Sequence, residues 1–505
     1  RILKSPKTQI CFNNEKPYTL SILILSLAIV FLLARYAFVN SGRVGMTILV
    51  GLVTFIPSLT LSISIVNRVF FMIQKPVILP KLKLDKGIPE ESKTIVVIPT
   101  LLPNEARVRE MVEQMEVHFL SNKENNLYFA LVGDFKDGDL EHRDSDEKIV
   151  ETGLKLIREL NKKYSSEEDI FYYFHRSRTY SQGEKRWMGW ERKRGALVEF
   201  NNLILGDKNT SFSVVSSDIN NLICNIKYVI TLDADTKLPL ETAKRLIGTI
   251  SHPLNVAKID EGKGVVTEGY GIIQPRILVD IESSNKSLFS RIYAGQGGMD
   301  PYTTAVSDIY QDLFGEGIFT GKGIYDLKVF QRCLKDSIPE NTVLSHDLLE
   351  GSYIRTGLAT DIELIDGYPE KYTSFMMRLH RWVRGDWQLI RWLSRRKDNP
   401  ISSLSRWKIF DNLRRSTLQV SLLLLTLLGL TVFPGNTYIW IGLMLLVIFS
   451  PTLSSLLKYL ANSNCRKTRY RLNGDIITGV KGRFYQGLLT FIFIPYEAYL
   501  MTDAI

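Results

Sequence analysis

Residues 228–235 read Tyr228-Val-Ile-Thr-Leu-Asp-Ala-Asp235, a β-branched and aromatic run that ends in two carboxylates. This composition predicts a buried strand over Tyr228–Leu232. Mg²⁺ and Mn²⁺ both prefer oxygen ligands and commonly bridge one or two carboxylates to substrate phosphates. The run therefore predicts a site for Mg²⁺ or Mn²⁺ at the end of a strand, held by Asp233 and Asp235. A turn or helix cap is the competing interpretation, because aspartate is common at both.

Further strand-like runs alternate with helical patterns upstream of this stretch. Strands are predicted over Thr94–Pro99, Leu127–Asp134 and Ile170–His175, and helices between them over Glu105–His118 and Glu147–Tyr164. This alternation predicts an α/β fold, a Rossmann-like and mostly parallel sheet with helices on both faces. Such sheets bind ligands at the carboxyl ends of their strands. Thr100 and Glu105 follow the first strand, and Asp134 ends the second, where it can meet a base or a ribose.

Long apolar runs near both ends of the chain predict transmembrane helices. Four of them can cross about 30 Å of hydrocarbon, namely Leu20–Val39, Val44–Val66, Ser416–Phe433 and Thr437–Leu457. Phe484–Tyr499 is a weaker candidate that either spans the bilayer or lies in its interface. Buried core helices are the competing interpretation, which the length of the four runs disfavours.

Basic residues follow two of the apolar runs. Arg68, Lys75, Lys81 and Lys83 follow the second run, and Arg466, Lys467, Arg469 and Arg471 follow the fourth. By the positive-inside rule, these segments and the chain between them face the cytosol. We therefore predict a multi-pass membrane protein with an N-terminal membrane region (1–83), a cytosolic domain (84–411) and a C-terminal membrane region (412–505).

The net charge of +10 is compatible with nucleic acid, anionic lipid or a nucleotide diphosphate as partner. The sequence has no zinc-finger spacing or RNA-binding motif, and its basic residues crowd beside apolar runs. Lipid and diphosphate are therefore favoured over nucleic acid. The four cysteines, Cys11, Cys224, Cys333 and Cys465, form no CxxC pair, which disfavours a disulfide framework or a zinc site.

A candidate general base lies in the segment Leu344-Ser-His-Asp-Leu-Leu-Glu350. A carboxylate can take a proton from an acceptor hydroxyl, and Asp347 stands where a helical run begins. A helix cap is the competing interpretation for Asp347. His346 could act as a base or a metal ligand, although a lone histidine is more often structural.

Two further segments carry positive charge. In Arg378-Leu-His-Arg-Trp382, the residues Arg378, Arg381 and Trp382 share one helical face. The arginines can neutralise a diphosphate leaving group, and the tryptophan can stack on a sugar. An amphipathic helix on anionic lipid is the competing interpretation. Trp190-Glu-Arg-Lys-Arg-Gly195, with Lys193, could approach a phosphate or form a solvated charged turn.

The segment Phe314-Gly-Glu-Gly-Ile-Phe-Thr-Gly-Lys-Gly323 is rich in glycine. It lacks the spacing of a P-loop, because no Gly-Lys-Ser/Thr follows at the required position. It is interpreted as a loop that shapes an acceptor site.

In this order the segments resemble inverting glycosyltransferases of family 2, which have a GT-A fold. The resemblance rests on Pro99-Thr100, Asn104-Glu105, Asp134, Lys193-Arg-Gly195, Asp233-Ala-Asp235, Phe319-Thr-Gly321, Ser345-His-Asp347 and Arg378-Leu-His-Arg-Trp382. The processive members usually carry Q-x-x-R-W and T-E-D or E-D. Here Arg378 stands for the glutamine, and Ser-His-Asp stands for the acidic motif.

The chain more closely resembles the glycosyltransferase region of cyclic β-1,2-glucan synthases, over nearly its whole length. This similarity is carried by Trp187-Met-Gly-Trp-Glu-Arg-Lys-Arg-Gly195, Asp300-Pro-Tyr-Thr303, Val306-Ser-Asp-Ile-Tyr-Gln-Asp-Leu-Phe-Gly-Glu-Gly317 and Arg406-Trp-Lys-Ile-Phe-Asp-Asn-Leu-Arg-Arg415. It implies a bacterial inner-membrane enzyme, with its active site facing the cytosol, that transfers glucose from UDP-glucose to a growing β-1,2-glucan with inversion.

The resemblance also implies roles for individual residues. By this resemblance, Asp134 would contact uracil, and Asp233 and Asp235 would hold ribose, metal and diphosphate. Asp347 would be the base. The diphosphate and the acceptor end would be bound by Arg378, Arg381 and Trp382. Thr100, Glu105 and Lys193 complete the donor-binding set. A carbohydrate-active domain of the same polypeptide is implied beyond this chain. Another β-glycan synthase, with a different sugar or linkage, and a catalytically silent membrane scaffold are the alternative functions.

Overall fold

A nine-stranded sheet forms the centre of the protein in a computed structural model. The structure describes residues 15–74, 76–165, 168–216, 219–220, 222–294, 308–335, 337–395, 399–461 and 479–505. Some residues named above lie outside the described ones, namely Cys11, Lys75, Asp300–Thr303, Val306, Ser307, Cys465, Arg466, Lys467, Arg469 and Arg471.

The strands, numbered along the chain, are β1 Thr94–Leu101, β2 Leu127–Asp134, β3 Phe171–Arg176, β4 Thr179–Ser181, β5 Arg186–Met188, β6 Phe212–Val215, β7 Tyr228–Thr231, β8 Thr236–Lys237, β9 Lys258–Asp260, β10 Val265–Glu268, β11 Ile272–Val279, β12 Gly323–Asp326 and β13 Thr356–Asp366. The sheet order is β6-β3-β2-β1-β7-β12-β11-β13-β8, and β4-β5 and β9-β10 form two small hairpins. The strands β3, β2, β1 and β7 run parallel, as do β11 and β13. Between these two groups β12 runs antiparallel to both of its neighbours.

The helices are α1 Lys16–Ser41, α2 Val44–Ile73, α3 Glu105–Ser121, α4 Asp144–Tyr164, α5 Arg192–Ile204, α6 Thr242–Ile250, α7 Ile281–Asn285, α8 Leu288–Ala294, α9 Ile309–Phe314, α10 Leu327–Leu334, α11 Asp347–Ile354, α12 Tyr372–Gln388, α13 Ser403–Thr431, α14 Thr437–Ala461 and α15 Gly479–Ala504. Two short 3₁₀ helices cover Glu90–Ser92 and Leu389–Leu393. Each of the predicted strands and helices of the α/β domain is found, with ends shifted by at most three residues.

Both faces of the sheet are buried, as its continuous apolar strands require. Side chains alternate between faces along a strand, so Ile95 and Val97 of β1 pack into one core, whereas Val96 and Ile98 pack into the other. The first core also contains residues of α5, α10 and α11, and the second contains residues of α3, α4 and α6. The predicted α/β class, with helices on both faces, is confirmed.

Four described helices are long and apolar enough to cross a membrane, namely α1, α2, α13 and the Thr437–Leu457 part of α14. They coincide with the four predicted runs, and the protein is a membrane protein. The third begins earlier than its apolar run, because the helix starts at Ser403, where the Ser402 hydroxyl accepts a hydrogen bond from the Ser405 amide. The weaker candidate lies inside α15, which packs against α13 and α14.

We expect Gly429→Ala to separate α13 from α14. A Cβ at Gly429 would lie 2.7 Å from the Cβ of Trp440, whose side chain is fully buried. Small residues let membrane helices approach closely, and overpacking costs about 1–3 kcal/mol. The apparent melting temperature in detergent should fall. Gly442→Ala on α14 is the matched control, since no described atom lies within 4 Å of its added Cβ. Equal melting temperatures for the two variants would contradict this packing.

Candidate active site

The carboxyl ends of β1, β2 and β7 meet at one edge of the sheet, because these three strands are parallel neighbours. Asp233 and Asp235 follow β7 at this edge, Thr100 lies near the end of β1, and Asp134 ends β2. The structure therefore brings these four predicted residues to one sheet edge. The contacts of each side chain decide what it can do there.

Asp233 lies between two lysines. Its Oδ1 is 2.5 Å from Lys193 Nζ, and its Oδ2 is 2.8 Å from Lys322 Nζ. Burial acts to raise the pKa of Asp233, but the two ammonium groups outweigh it and hold that pKa below its usual range. Lys193 also donates a hydrogen bond to the Gly321 carbonyl at 2.8 Å. This contact joins the start of α5 to the glycine-rich loop.

Lys322 and Asp366 belong to this cluster, although the sequence patterns did not single them out as site residues. The Lys322 side chain is 7% exposed and forms ion pairs with both Asp233 and Asp366. Asp366 ends β13 and accepts a hydrogen bond from the Thr236 hydroxyl at 2.7 Å. Two signals could have indicated them: a lysine between two glycines, and an aspartate followed by glycine at the end of an alternating strand.

Asp235 faces these charges without a partner of its own among the described residues. Loss of hydration, and then the neighbouring carboxylate of Asp366, raise the pKa of Asp235. Lys322 bridges Asp233 and Asp366, and Lys193 pairs with Asp233, whereas the exposed Asp235 has no ammonium group of its own among the described residues. A site of this kind favours a further positive charge.

Asp347 is the first residue of α11, across the glycine-rich loop from Asp233. Its Oδ1 is buried and has no hydrogen-bond partner among the described residues. Burial is the main cause that raises the pKa of Asp347, against the opposing charges of His346 and Lys193. A Cβ at Gly321 would lie 2.9 Å from both carboxylate oxygens, and Gly321 has φ = +85°. Glycine at this position is therefore what lets the loop approach the carboxylate.

His346 is held beside Asp347 by a second acid. Its Nδ1 lies 2.8 Å from Glu350 Oε1 and 3.4 Å from Asp347 Oδ1. Burial lowers the pKa of His346, but the carboxylates of Glu350 and then Asp347 outweigh it and raise that pKa. The ligand atoms of these three residues lie within 4.8 Å of one another. The short His346–Glu350 bond supports the structural interpretation of His346.

A cavity of about 350 Å³ opens beside this cluster. Asp347, Lys322 and Asp366 line it, and the glycine-rich loop contributes Ile318, Phe319 and Thr320. Residues of α13, namely Asn412, Arg415, Ser416 and Gln419, line another part. The cavity thus connects the edge of the sheet with a helix that is apolar enough to cross a membrane.

The basic segment of α12 borders this cavity with two of its three predicted residues. Arg378 and Trp382 line the cavity, and the Arg378 guanidinium lies 5.5 Å from the centre of the Trp382 ring. Arg381 is exposed and lies outside the lining residues. Arg378 and Trp382 therefore share the helical face that borders the cavity, as predicted, whereas Arg381 is turned further toward solvent.

The other predicted donor-binding residues lie along the same sheet edge but do not line the cavity. Thr100 is half-buried. Glu105 accepts a hydrogen bond from the Thr152 hydroxyl at 3.4 Å. Asp134 is buried, and both of its carboxylate oxygens accept hydrogen bonds from Arg176.

One known protein resembles the chain over almost all of its length. The cyclic beta-(1,2)-glucan synthase NdvB of Rhizobium meliloti (strain 1021) is 38% identical to it over 485 residues, 95% of this chain. This chain is homologous to one region of that synthase. It spans 17% of the length of this relative. No model of a protein family matches the chain. The resemblance to cyclic β-1,2-glucan synthases that the motifs indicated is confirmed.

We expect Lys322→Met to destabilise the protein. The variant leaves Asp233 and Asp366 without their shared ammonium group. Breaking a buried ion pair costs about 3–5 kcal/mol. We expect a smaller loss of stability here, because the Asp233 side chain is 29% exposed. Lys258→Met is the control, since the pair of Lys258 with Glu268 is exposed and such pairs contribute about 0–1 kcal/mol. Thermal unfolding measures both variants, and equal losses would contradict the central role of Lys322.

The effect of Lys322→Met should also depend on pH. The folded-state pKa of Asp233 is depressed, so its contribution to stability is fully present above the unfolded pKa of about 3.9 and is lost as the pH falls toward the folded value. The difference in stability between native protein and Lys322→Met should therefore shrink below about pH 4.

Proposed function

We propose that this chain is a membrane-bound glycosyltransferase of GT-A fold that transfers glucose from UDP-glucose to a growing β-1,2-glucan, with inversion at the anomeric carbon. The observation that carries the proposal is that Asp347, whose buried Oδ1 accepts no hydrogen bond from the described residues, lines the same cavity as Lys322 and Arg378. The homology to a cyclic β-(1,2)-glucan synthase supports the sugar and the linkage.

The donor diphosphate would lie between the lysine pair and α12. Lys193 and Lys322 meet at Asp233, and Arg378 lines the cavity that Lys322 also borders. Fixed cations around a leaving group lower the barrier because they are oriented before its charge develops. Thr100, Glu105 and Asp134 lie along the same sheet edge, where the nucleoside part of the donor would bind.

The residues at this edge fit a divalent cation. Asp235 has an unpaired carboxylate among the described residues, and burial and the Asp366 carboxylate raise its pKa. A cation held by Asp235, with Asp233 beside it, would offset this repulsion, and oxygen ligands suit Mg²⁺ and Mn²⁺ equally. Such an ion supplies a positive charge that stabilises the departing diphosphate.

Asp347 would act as the general base. Its carboxylate takes the proton of the acceptor hydroxyl, the hydroxyl oxygen forms a bond to the anomeric carbon, and the bond from that carbon to the diphosphate breaks. Burial, which raises the pKa of Asp347, makes the carboxylate a stronger base. Glu350 fixes the neighbouring His346, so that the imidazole stays beside the carboxylate.

The acceptor would enter from the side of the cavity formed by α12 and α13. Trp382 offers an aromatic face there, and Asn412, Ser416 and Gln419 offer hydrogen-bonding groups suited to sugar hydroxyls. Arg68 lies near the end of α2, and Lys81 and Lys83 follow that helix; these described basic residues are compatible with a cytosolic active site.

The first test is incorporation of radiolabelled UDP-glucose by detergent-solubilised protein, with and without EDTA, followed by linkage analysis. We expect β-1,2-linked glucan that forms with Mg²⁺ or Mn²⁺ and is abolished by EDTA. A different linkage, or turnover only with another nucleotide sugar, would identify another β-glycan synthase. No turnover of any nucleotide sugar by folded protein would favour the silent scaffold.

Removal of the proposed base should abolish transfer without unfolding the protein. Asp347→Asn should reduce kcat at least about 10²-fold, the usual contribution of a general base. Asp144→Asn is the matched control, because Asp144 also begins a helix but lies outside the cavity lining. Native enzyme should lose activity on acidification with an apparent pKa above the usual aspartate value of about 3.9. Full activity of Asp347→Asn would exclude this residue as the base.

Gly321→Ala should reduce transfer by displacing Asp347. The added Cβ would lie within 3.0 Å of the carboxylate, and the positive φ adds backbone strain. Gly264→Ala is the control, since Gly264 also has a positive φ of 66° but no described atom lies within 4 Å of its added Cβ. We expect a loss of at least about tenfold in kcat for Gly321→Ala only. Equal activity of the two variants would show that the close approach is unimportant.

A further inference from the structure

The start of α5 has an unusual backbone conformation. Glu191 and Arg192 are consecutive residues with φ = +49°, in the left-handed region that residues with a Cβ adopt rarely. The next residue is Lys193, which contacts Asp233 and the Gly321 carbonyl. Strained backbone of this kind persists only where surrounding contacts hold it in place.

Arg176 supplies two of those contacts, alongside contacts of the Glu191 and Arg192 side chains with Arg194 and Glu184. Arg176, the last residue of β3, is 1% exposed. Its Nη1 donates to the Trp190 carbonyl at 2.8 Å, and its Nη2 donates to the Arg192 carbonyl at 2.9 Å. The two carbonyls flank Glu191, so one guanidinium fixes the chain on both sides of the strained residue, immediately before Lys193.

The guanidinium is itself held by two acids. Its Nε and Nη2 donate to the two oxygens of Asp134 at 2.7 Å, and its Nη1 donates to Glu199 at 3.0 Å. With the two carbonyls, these bonds use all five N–H donors of the arginine. Gly189 allows this packing, since a Cβ there would lie 2.7 Å from Asp134 Oδ2 and 2.8 Å from Arg176 Nη2.

We propose that Arg176 is a positioning residue that holds the strained turn at Glu191 and Arg192 and thereby directs Lys193 toward the donor diphosphate. This inference rests on the proposed function of the site. It gives Asp134 a second role as the carboxylate that orients Arg176. The arginine acts through backbone carbonyls and touches none of the reacting atoms.

Arg178 offers a matched comparison two residues further along the chain. It is also buried and forms a bidentate ion pair, with Asp146. Its other hydrogen bonds among the described residues go to the carbonyls of Lys136 and Glu141, on the connection between β2 and α4. A substitution of Arg178 therefore disturbs a similar buried pair without releasing the turn before Lys193.

The test compares Arg176→Lys with Arg178→Lys in the detergent-solubilised protein. Lysine keeps the positive charge but lacks the planar fork of donors that reaches both carbonyls. Hydrogen exchange should become at least tenfold faster in the peptide 189–195 for Arg176→Lys only. The KM for UDP-glucose should rise at least tenfold for Arg176→Lys only, because the contact of Lys193 with the diphosphate of the bound donor is weakened.

A double variant separates positioning from general stability. The KM of the double variant Arg176→Lys/Lys193→Met should differ less than twofold from that of Lys193→Met alone. The reason is that the diphosphate contact of Lys193, which Arg176 directs, is already absent in Lys193→Met. Additive effects on KM, or equal exchange rates in 189–195 for Arg176→Lys and Arg178→Lys, would overturn the proposal.

Two further measurements cover the cases in which Arg176→Lys does not fold or the native protein does not turn over UDP-glucose. If Arg176→Lys does not fold, Gly189→Ala displaces the same contacts while keeping the arginine, and the same changes in exchange and KM are expected of it. If the native protein does not turn over UDP-glucose, the proposed function fails, while the exchange experiment still supports or overturns the role of Arg176 in holding the turn.

Discussion

The architecture of the site depends on charge compensation where water is largely excluded. A buried charge is costly unless it is paired, and Lys322 satisfies this requirement by bridging Asp233 to Asp366. These three residues come from the connection after β7, the loop before β12 and the end of β13. The charges therefore hold the connection after β7 and the loop before β12 to the end of β13, and they fix the loop that approaches Asp347.

The same sheet joins the site to the membrane helices. Tyr18 of α1 and Leu59 of α2 belong to the hydrophobic core that contains Val97 of β1. On the other side of the site, α12 is attached to α15 by a hydrogen bond from Tyr372 to Glu497 at 2.7 Å and by the His380–Asp503 pair at 2.8 Å. The helix that carries Arg378 and Trp382 is therefore positioned by a helix of the C-terminal region, and it also packs against α13.

The sequence predicted structural features that depend on residues close together in the chain, and it missed contacts between residues that only folding brings together. Strands, helices and apolar helices follow from local periodicity and length, so β2 was predicted to the residue. The antiparallel β12 was missed, because four residues next to a glycine-rich loop carry too little pattern. Asp233 was predicted because it follows a strand. Its contact with Lys322 forms only on folding, and so does the contact between Arg176 and Asp134, which are 42 residues apart in sequence. Arg381 shares a helical face with Arg378, but spacing alone could not show that only one of the two arginines borders the cavity.

The balance of charge gives a physical reason for a metal in the proposed reaction. Around Asp233, Asp235 and Asp366, three carboxylates meet the two ammonium groups of Lys193 and Lys322. A donor diphosphate would add more negative charge to a site where Asp235 is already destabilised as an anion. Arg378, which lines the cavity beside these groups, supplies part of the missing charge, and a divalent cation at Asp235 would supply the rest. Without that cation, the repulsion between Asp235 and the donor would weaken binding, which makes loss of transfer in EDTA the expected consequence of this arrangement of residues.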